Sequence, residues 1–213
     1  MPGRVADGAR ISGQIMNYLA HLSLAQPSVP SKVGNVLGDF MHGVERSRLS
    51  APVRRGLDNH RLVDRFTDHH PWVQAQRRTF SPDRRRFAGV ALDVLFDHFL
   101  WQHWAAFYHH DREAAIRRHY AHLQSGLPLM HAAMRERVER LIEHDLLNQY
   151  RDLARVGQAL DVIAGRIRFA NRFAGIIEEI APRYAALEQG FLDFYPELQE
   201  EVKAARVEES LSL

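Results

Sequence analysis

The sequence predicts an all-α fold in a single helical domain, and three observations carry that prediction. Apolar residues recur three and four positions apart along most of the chain, the period of an amphipathic helix. No long run alternates β-branched and polar residues, as a strand with one buried face would. Ser, Asp, Pro and Gly fall at the edges of the periodic stretches, where helices start and stop. With 46 % apolar and 25 % charged residues the chain has the balance of a globular protein. No tandem repeat or low-complexity linker divides its 213 residues, so one domain over 16–213 is expected.

Residues 1–15, MPGRVADGARISGQI, are polar, glycine-rich and without periodicity, and lack the apolar core of a signal peptide. They are expected to be a disordered or extended segment, or an extension ahead of a start at Met16. Met16 opens MNYLAHLSLA, the first stretch with a strong apolar pattern. SKVGNVLGDFMHG (31–43) spaces Val33, Val36, Leu37 and Phe40 at helical intervals, with Ser31 as N-cap. Gly34 and Gly38 leave a bare face there for another helix or a ligand. A helix over 52–69 opens on Pro52 in its first turn and is ended or kinked by Pro71, because the residue before a proline avoids the α region. It continues over 71–80. In SPDRR, Ser81 caps, Pro82 sits in the first turn and Asp83 complements the dipole of a helix running to about 108. Further helices fit 112–124, 128–150, 156–170 and 172–207, the last interrupted near Gly190 and Pro196.

Composition removes several function classes. No apolar run approaches the roughly 18 residues of a membrane span. With zero cysteines there is no disulfide framework and no thiolate nucleophile, so the cytoplasm is the expected compartment. Trp72, Trp101 and Trp104 fit a core or its rim better than a base-stacking platform, and no nucleic-acid partner is expected. There is no G-x-S-x-G elbow, Walker A loop, dinucleotide fingerprint or H-E-x-x-H. Of 28 basic residues only Lys32 and Lys203 are lysines. The arginine bias fits a GC-rich genome, and equally a surface for acidic or phosphorylated partners.

The stretch LDNHRLVDRFTDHHP (57–71) sets His60, Asp64 and Asp68 four apart, on one helical face. On the later helix Asp93 and Asp97 are four apart, with His98 adjacent, amid Val90, Leu92, Val94, Leu95, Phe96, Phe99 and Leu100. A buried carboxylate is neutralised, paired or bound to a metal, since leaving it bare costs several kcal/mol. Arginines can pair with carboxylates but do not account for His60 and His98, whereas a divalent cation takes both ligand types. Carboxylate-rich sites lean toward Mn²⁺ or Mg²⁺, with Fe²⁺ and Zn²⁺ within the same ligand set. Asp39 is a third carboxylate beside apolar Leu37 and Phe40. His21, among Leu19, Leu22 and Leu24, fits a core histidine as well as a site residue. Arg84, Arg85 and Arg86 fit a solvated helix face, or a grip on a phosphate or acidic partner. A structural ion-pair network remains the alternative to the metal.

Together MNYLAHLSLA, GNVLGDF, HRLVDRFTDHHP, RRRFAGVALDVLFDHFLWQHW and LEQGFLDFYPEL resemble the bacterial acyl carrier protein phosphodiesterase family from Met16 onward. The resemblance implies a helical fold similar to a rearranged HD-domain metal phosphohydrolase. It implies removal of the 4′-phosphopantetheine arm from holo acyl carrier protein, with Mn²⁺ preferred. It also implies roles for Asp39, for His60, Asp64 and Asp68, and for Asp93, Asp97 and His98, with Asp64, Asp97 and His98 the candidates to act at the reacting atoms. HD enzymes carry adjacent His-then-Asp, whereas the pair here is Asp97-then-His98. An acidic helical partner would be steered by arginines through complementary charge. The competing readings are a metal phosphohydrolase acting on a nucleotide or other small phosphate ester, and a non-enzymatic helical binding module with an ion-pair core.

Overall fold

The computed structural model describes residues 17–167 and 169–209. The segment 1–15 and the start at Met16 lie outside the described residues, among which there is no strand. The helices are α1 (Tyr18–Leu24), α2 (Val29–Leu37), α3 (Ala51–His69), α4 (Pro71–Arg78), α5 (Ala88–Gln102), α6 (Trp104–Phe107), α7 (Arg112–Gly126), α8 (Ala132–Glu143), α9 (Leu146–Gln149), α10 (Leu153–Arg166), α11 (Ile177–Ile180) and α12 (Tyr184–Ala205). None is long and apolar enough to cross a membrane.

α5 is the central element. Apolar residues occupy nearly all its faces, so it is buried all round, with Leu92, Val94, Leu95, Phe99 and Leu100 fully enclosed. α1, α10 and α12 pack on α5, and α12 also covers α3 and α4. α2 lies against α3 and α7. The α2–α3 crossing is tight because glycines face each other. A Cβ on Gly34 would lie 2.8 Å from the Gly56 Cα and closer still to the Val53 carbonyl oxygen, and one on Gly56 would lie 2.6 Å from the Ser31 oxygen. This contact sets the end of α2, with Asp39, beside the middle of α3, with His60.

α3 and α4 follow their prolines: Pro52 lies in the first turn, and His70 before Pro71 is extended at φ −63°, ψ 128°. Elsewhere the structure corrects the expected boundaries. Ser28 rather than Ser31 caps α2, accepting the Ser31 N–H at 3.4 Å, and Gly38–Phe40 tighten into a 3₁₀ turn. Ser81 caps no α-helix; its N–H and hydroxyl donate to Glu179 at 2.9 and 2.7 Å, so 81–84 is a turn, Arg85–Phe87 is a short 3₁₀ helix and α5 starts at Ala88. The stretch 128–150 breaks at Asp145, whose φ is +47°. Asp152 caps α10 from the Ala154 N–H at 2.8 Å, so that helix starts before 156 and ends at Arg166. α12 runs unbroken through Gly190 and Pro196. Gly190 is where the Trp72 indole packs, leaving no room for a Cβ. Pro196 leaves one helical bond unmade, a cost of about 3 kcal/mol, offset by burial of Phe191, Phe194, Tyr195 and Leu198 on the same helix.

The arginine triplet is drawn into the fold. Arg84 donates to the Arg172 and Ala174 carbonyls, both at 2.9 Å, and to Glu179 at 3.4 Å. Arg85 donates to the Phe80 carbonyl at 3.3 Å. Arg86 lies over Phe87 and Phe169 at 5.1 and 4.5 Å. The Arg84 guanidinium ties 172–179 to the 81–84 turn. Burial raises the Glu179 carboxyl, but the Ser81 donors and Arg84 hold it below its ordinary value. A carboxyl lowered on folding stabilises above its unfolded pKa and loses that contribution as pH falls through the folded value. Glu179→Gln is therefore expected to lower the melting temperature by a few degrees at pH 7. The gap to wild type should narrow by pH 3, as thermal denaturation at both pH values would show.

Candidate metal centre

Three side chains from two helices converge on one face of α3, at and just past its middle. His60 and Asp64, four apart on α3, project together. α1 delivers His21, which is buried and stacked on the His60 ring at 4.1 Å between centroids. The His21 Nε2 lies 3.2 Å from Asp64 Oδ1, and the His60 Nε2 lies 3.1 Å from Asp64 Oδ2. One nitrogen or oxygen from each residue falls within 4.8 Å of the others. Asp64 is 47 % exposed against 1 % for His21, so the group opens to solvent at the carboxylate.

The donor chemistry fits a cation. The His60 Nδ1 donates to the Asn35 carbonyl at 2.8 Å. That bond fixes the tautomer and leaves the Nε2 lone pair toward Asp64, as outer partners of metal-bound histidines do. Both ring nitrogens of His21 are buried without a hydrogen-bond partner, because the approach to Asp64 lacks hydrogen-bond alignment. An imidazole lone pair facing a carboxylate oxygen at such a distance is repulsive unless a positive charge lies between them. A proton or a divalent cation supplies it, and the orphaned His21 favours the cation.

The surrounding electrostatics agree. Burial raises the Asp64 carboxyl, but His21 and His60 prevail and hold it well below the usual carboxylate range. Burial lowers His60, which the Asp64 bond and charge and then Asp39 more than offset. His21 is pushed down by burial and by His60. Burial and the Asp64 charge push Asp39 up to about 7, against His60 and Arg137. Asp93 is pushed well above its ordinary value by burial and then by Asp64, with Arg77 opposing. Asp39 and Asp93 thus sit close enough to Asp64 to feel its charge, and a cation would relieve that repulsion.

The remaining candidates lie elsewhere. Asp68 pairs with Arg77 at 2.6 Å. Asp97 accepts the Leu19 and Ala20 N–H groups, both at 2.9 Å, one on each oxygen. It lies about 6 Å further along α5 than Asp93 and about 40° further round, which turns it to the start of α1. His98 donates from Nδ1 to the Tyr150 carbonyl at 2.5 Å and accepts the Tyr184 hydroxyl at Nε2 at 2.8 Å. It lines a separate surface cavity of about 560 Å³ with Trp101, Arg151 and Tyr184. Both nitrogens of His98 and both oxygens of Asp97 thus have hydrogen-bond partners away from Asp64, whereas Asp93 feels the Asp64 charge. His21 joins the group. In sequence it is one histidine on an apolar face; only the tertiary arrangement shows its nitrogens unpartnered.

The acyl carrier protein phosphodiesterase family model matches residues 16–198, a span containing every residue of this centre. The chain belongs to the acyl carrier protein phosphodiesterase family. It is 34 % identical to the acyl carrier protein phosphodiesterase of Photorhabdus laumondii over 197 residues, covering 88 % of this chain and 96 % of that one. It is 33 % identical to the Serratia proteamaculans protein of the same name, covering 88 % and 98 % of the two chains. It is also 33 % identical to that of Yersinia enterocolitica, covering 90 % and 100 %. No solved structure matches.

For this acyl carrier protein phosphodiesterase family member, one glycine sets the position of a candidate ligand. A Cβ on Gly38 would overlap the Cδ2, Nε2 and Cγ atoms of the His60 ring. Gly38→Ala is expected to displace that ring and raise the dissociation constant for Mn²⁺ by about 10–100-fold, the scale of losing an outer partner of a metal ligand. Calorimetric titration with Mn²⁺ checks this.

Proposed function

We propose that this chain hydrolyses the phosphodiester joining 4′-phosphopantetheine to the serine of holo acyl carrier protein, releasing the arm and the apo protein. The reading rests on the family and on one observation: His21, His60 and Asp64 converge at a solvent-open point, with an orphaned imidazole and two further raised carboxyls around it. His21, His60 and Asp64 would hold a divalent cation, for which we favour Mn²⁺ because of the carboxylates in the set. Such a cation supplies a water of lowered pKa and charge neutralisation at the phosphoryl oxygens. The chain's own groups do the rest. Asn35 holds the His60 ring in its coordinating tautomer. In this reading Asp39 and Asp93, whose carboxyls are pushed up by burial and by the Asp64 charge, would exchange a proton with water and with the leaving serine oxygen. Arg61 and Arg65 follow His60 and Asp64 at exposed positions on α3 and supply positive charge near the opening for an acidic partner. This reading takes the reaction to be cytoplasmic, with which a chain without cysteines is compatible.

The test is incubation of the protein and Mn²⁺ with holo acyl carrier protein, followed by mass spectrometry. Loss of the arm's mass with stoichiometric appearance of 4′-phosphopantetheine supports the reading. An unchanged carrier protein, with turnover of nucleotides or small phosphate esters, would replace it with the small-molecule phosphohydrolase. Neither activity and no metal retained on dialysis would leave a binding module.

A further inference from the structure

α1 has seven residues, too few to be stable as a free helix, yet it delivers His21 to the metal centre. Its own caps are poor. Asn17 at the N-cap makes no side-chain bond to the first turn, and Ala25 at the other end is extended. The exposed backbone groups are met from elsewhere. At the N-terminus the buried Asp97 of α5 takes the Leu19 and Ala20 N–H groups, both at 2.9 Å. At the C-terminus the buried Lys32 of α2 donates its ammonium to the Leu22 carbonyl and, at 2.9 Å, to the Ala25 carbonyl. Each charge has the sign the helix dipole favours at that end. His21 lies between the two clamps, with its Nε2 at 3.2 Å from Asp64.

We propose that Asp97 and Lys32 are positioning residues for the metal centre, clamping α1 at both ends so that His21 is held at coordinating distance from Asp64. The inference rests on the metal reading given above. The geometry of the clamp calls for the carboxylate: both Asp97 oxygens accept an N–H, so a proton on either would face a donor, and these two bonds oppose the burial that pushes the carboxyl up to about 8. Burial brings the Lys32 amine down to about 8, which leaves it a cation at neutral pH. A clamp at one end alone would let the short helix slide or fray about the other. Closure at both ends fixes the axial position and rotation of the single ligand it carries.

The experiment measures Mn²⁺ affinity by the free-ion electron paramagnetic resonance signal in wild type, His21→Ala, Asp97→Asn, Lys32→Met and Leu160→Ala. Leu160 is fully buried on α10 and controls for general loss of stability. The clamp variants are expected to raise the Mn²⁺ dissociation constant about 10–100-fold, as outer-partner losses do, and to lower kcat without moving KM for the carrier protein. Leu160→Ala should stay within about twofold of wild type in Mn²⁺ affinity. A second readout needs no variant: by linkage, Mn²⁺ must raise hydrogen-exchange protection of the α1 peptide in wild type more than that of α10. Clamp variants with wild-type Mn²⁺ affinity overturn the inference. So does unchanged α1 protection, even if neither clamp variant folds. If His21→Ala loses Mn²⁺ while folded clamp variants keep it, the clamp alone fails. If wild type binds no Mn²⁺, the metal reading fails and the clamp with it.

Discussion

Asp64→Asn is expected to lower kcat/KM by more than about 100-fold, beyond the 10–100-fold that loss of an outer partner costs, and to remove the rise in melting temperature that Mn²⁺ gives wild type. Asp64 is the one residue approached by both imidazoles, at 3.2 and 3.1 Å, so its charge decides whether the group can hold a cation. The amide keeps the shape and removes that charge. A ligand that binds only the folded state stabilises by mass action, so the Mn²⁺-dependent shift should disappear with the site. Without metal the variant should be as stable as wild type or more so, since Asp39 and Asp93 no longer face a neighbouring negative charge. An ion-pair role for Asp64 makes the opposite demand. The change would then strand buried imidazolium and cost about 3–5 kcal/mol with or without Mn²⁺.

Gly34→Ala is expected to be the most damaging small change to stability, at about 3 kcal/mol or more, because overpacking a tight contact forces the backbone to move. The new methyl would meet the Val53 carbonyl oxygen, the Gly56 Cα and the Leu57 nitrogen, none of which can turn away as a side chain would. For a chain of this length that corresponds to a fall of about 6–12 °C in melting temperature, read by thermal denaturation. A loss below about 1 kcal/mol would show that α2 and α3 do not cross as closely as described. Since α2 ends at Asp39 and α3 carries His60, any separation of the two helices should also weaken the metal centre.

These two positions show what was legible in the sequence. Helical spacing alone sets His60 and Asp64 on one face, and a pair of bare glycine faces signals a close crossing; both are local patterns. Prolines 52 and 71 delimit α3 for the same reason. Some of what changed depended on partners far along the chain. Ser81 looks like a cap until Glu179, 98 residues away, takes its donors. Asp97 repeats the spacing of a ligand row, yet it serves the start of α1, 78 residues earlier. No periodicity reports such bonds, because the sequence shows only that a carboxylate is buried, not what neutralises it. His21 is the converse case: its apolar neighbours suit a core histidine, and its role as a candidate ligand emerges only where Asp64 and His60 meet it in space.

The central claim is that His21, His60 and Asp64 hold a divalent cation. Anomalous diffraction at the manganese edge, from crystals of the full chain grown with Mn²⁺, tests it most directly. The expected result is one strong peak bonded to His21 Nε2, His60 Nε2 and an Asp64 oxygen. A peak beside Asp97 and His98 instead, or no peak in this group at saturating Mn²⁺, would contradict it.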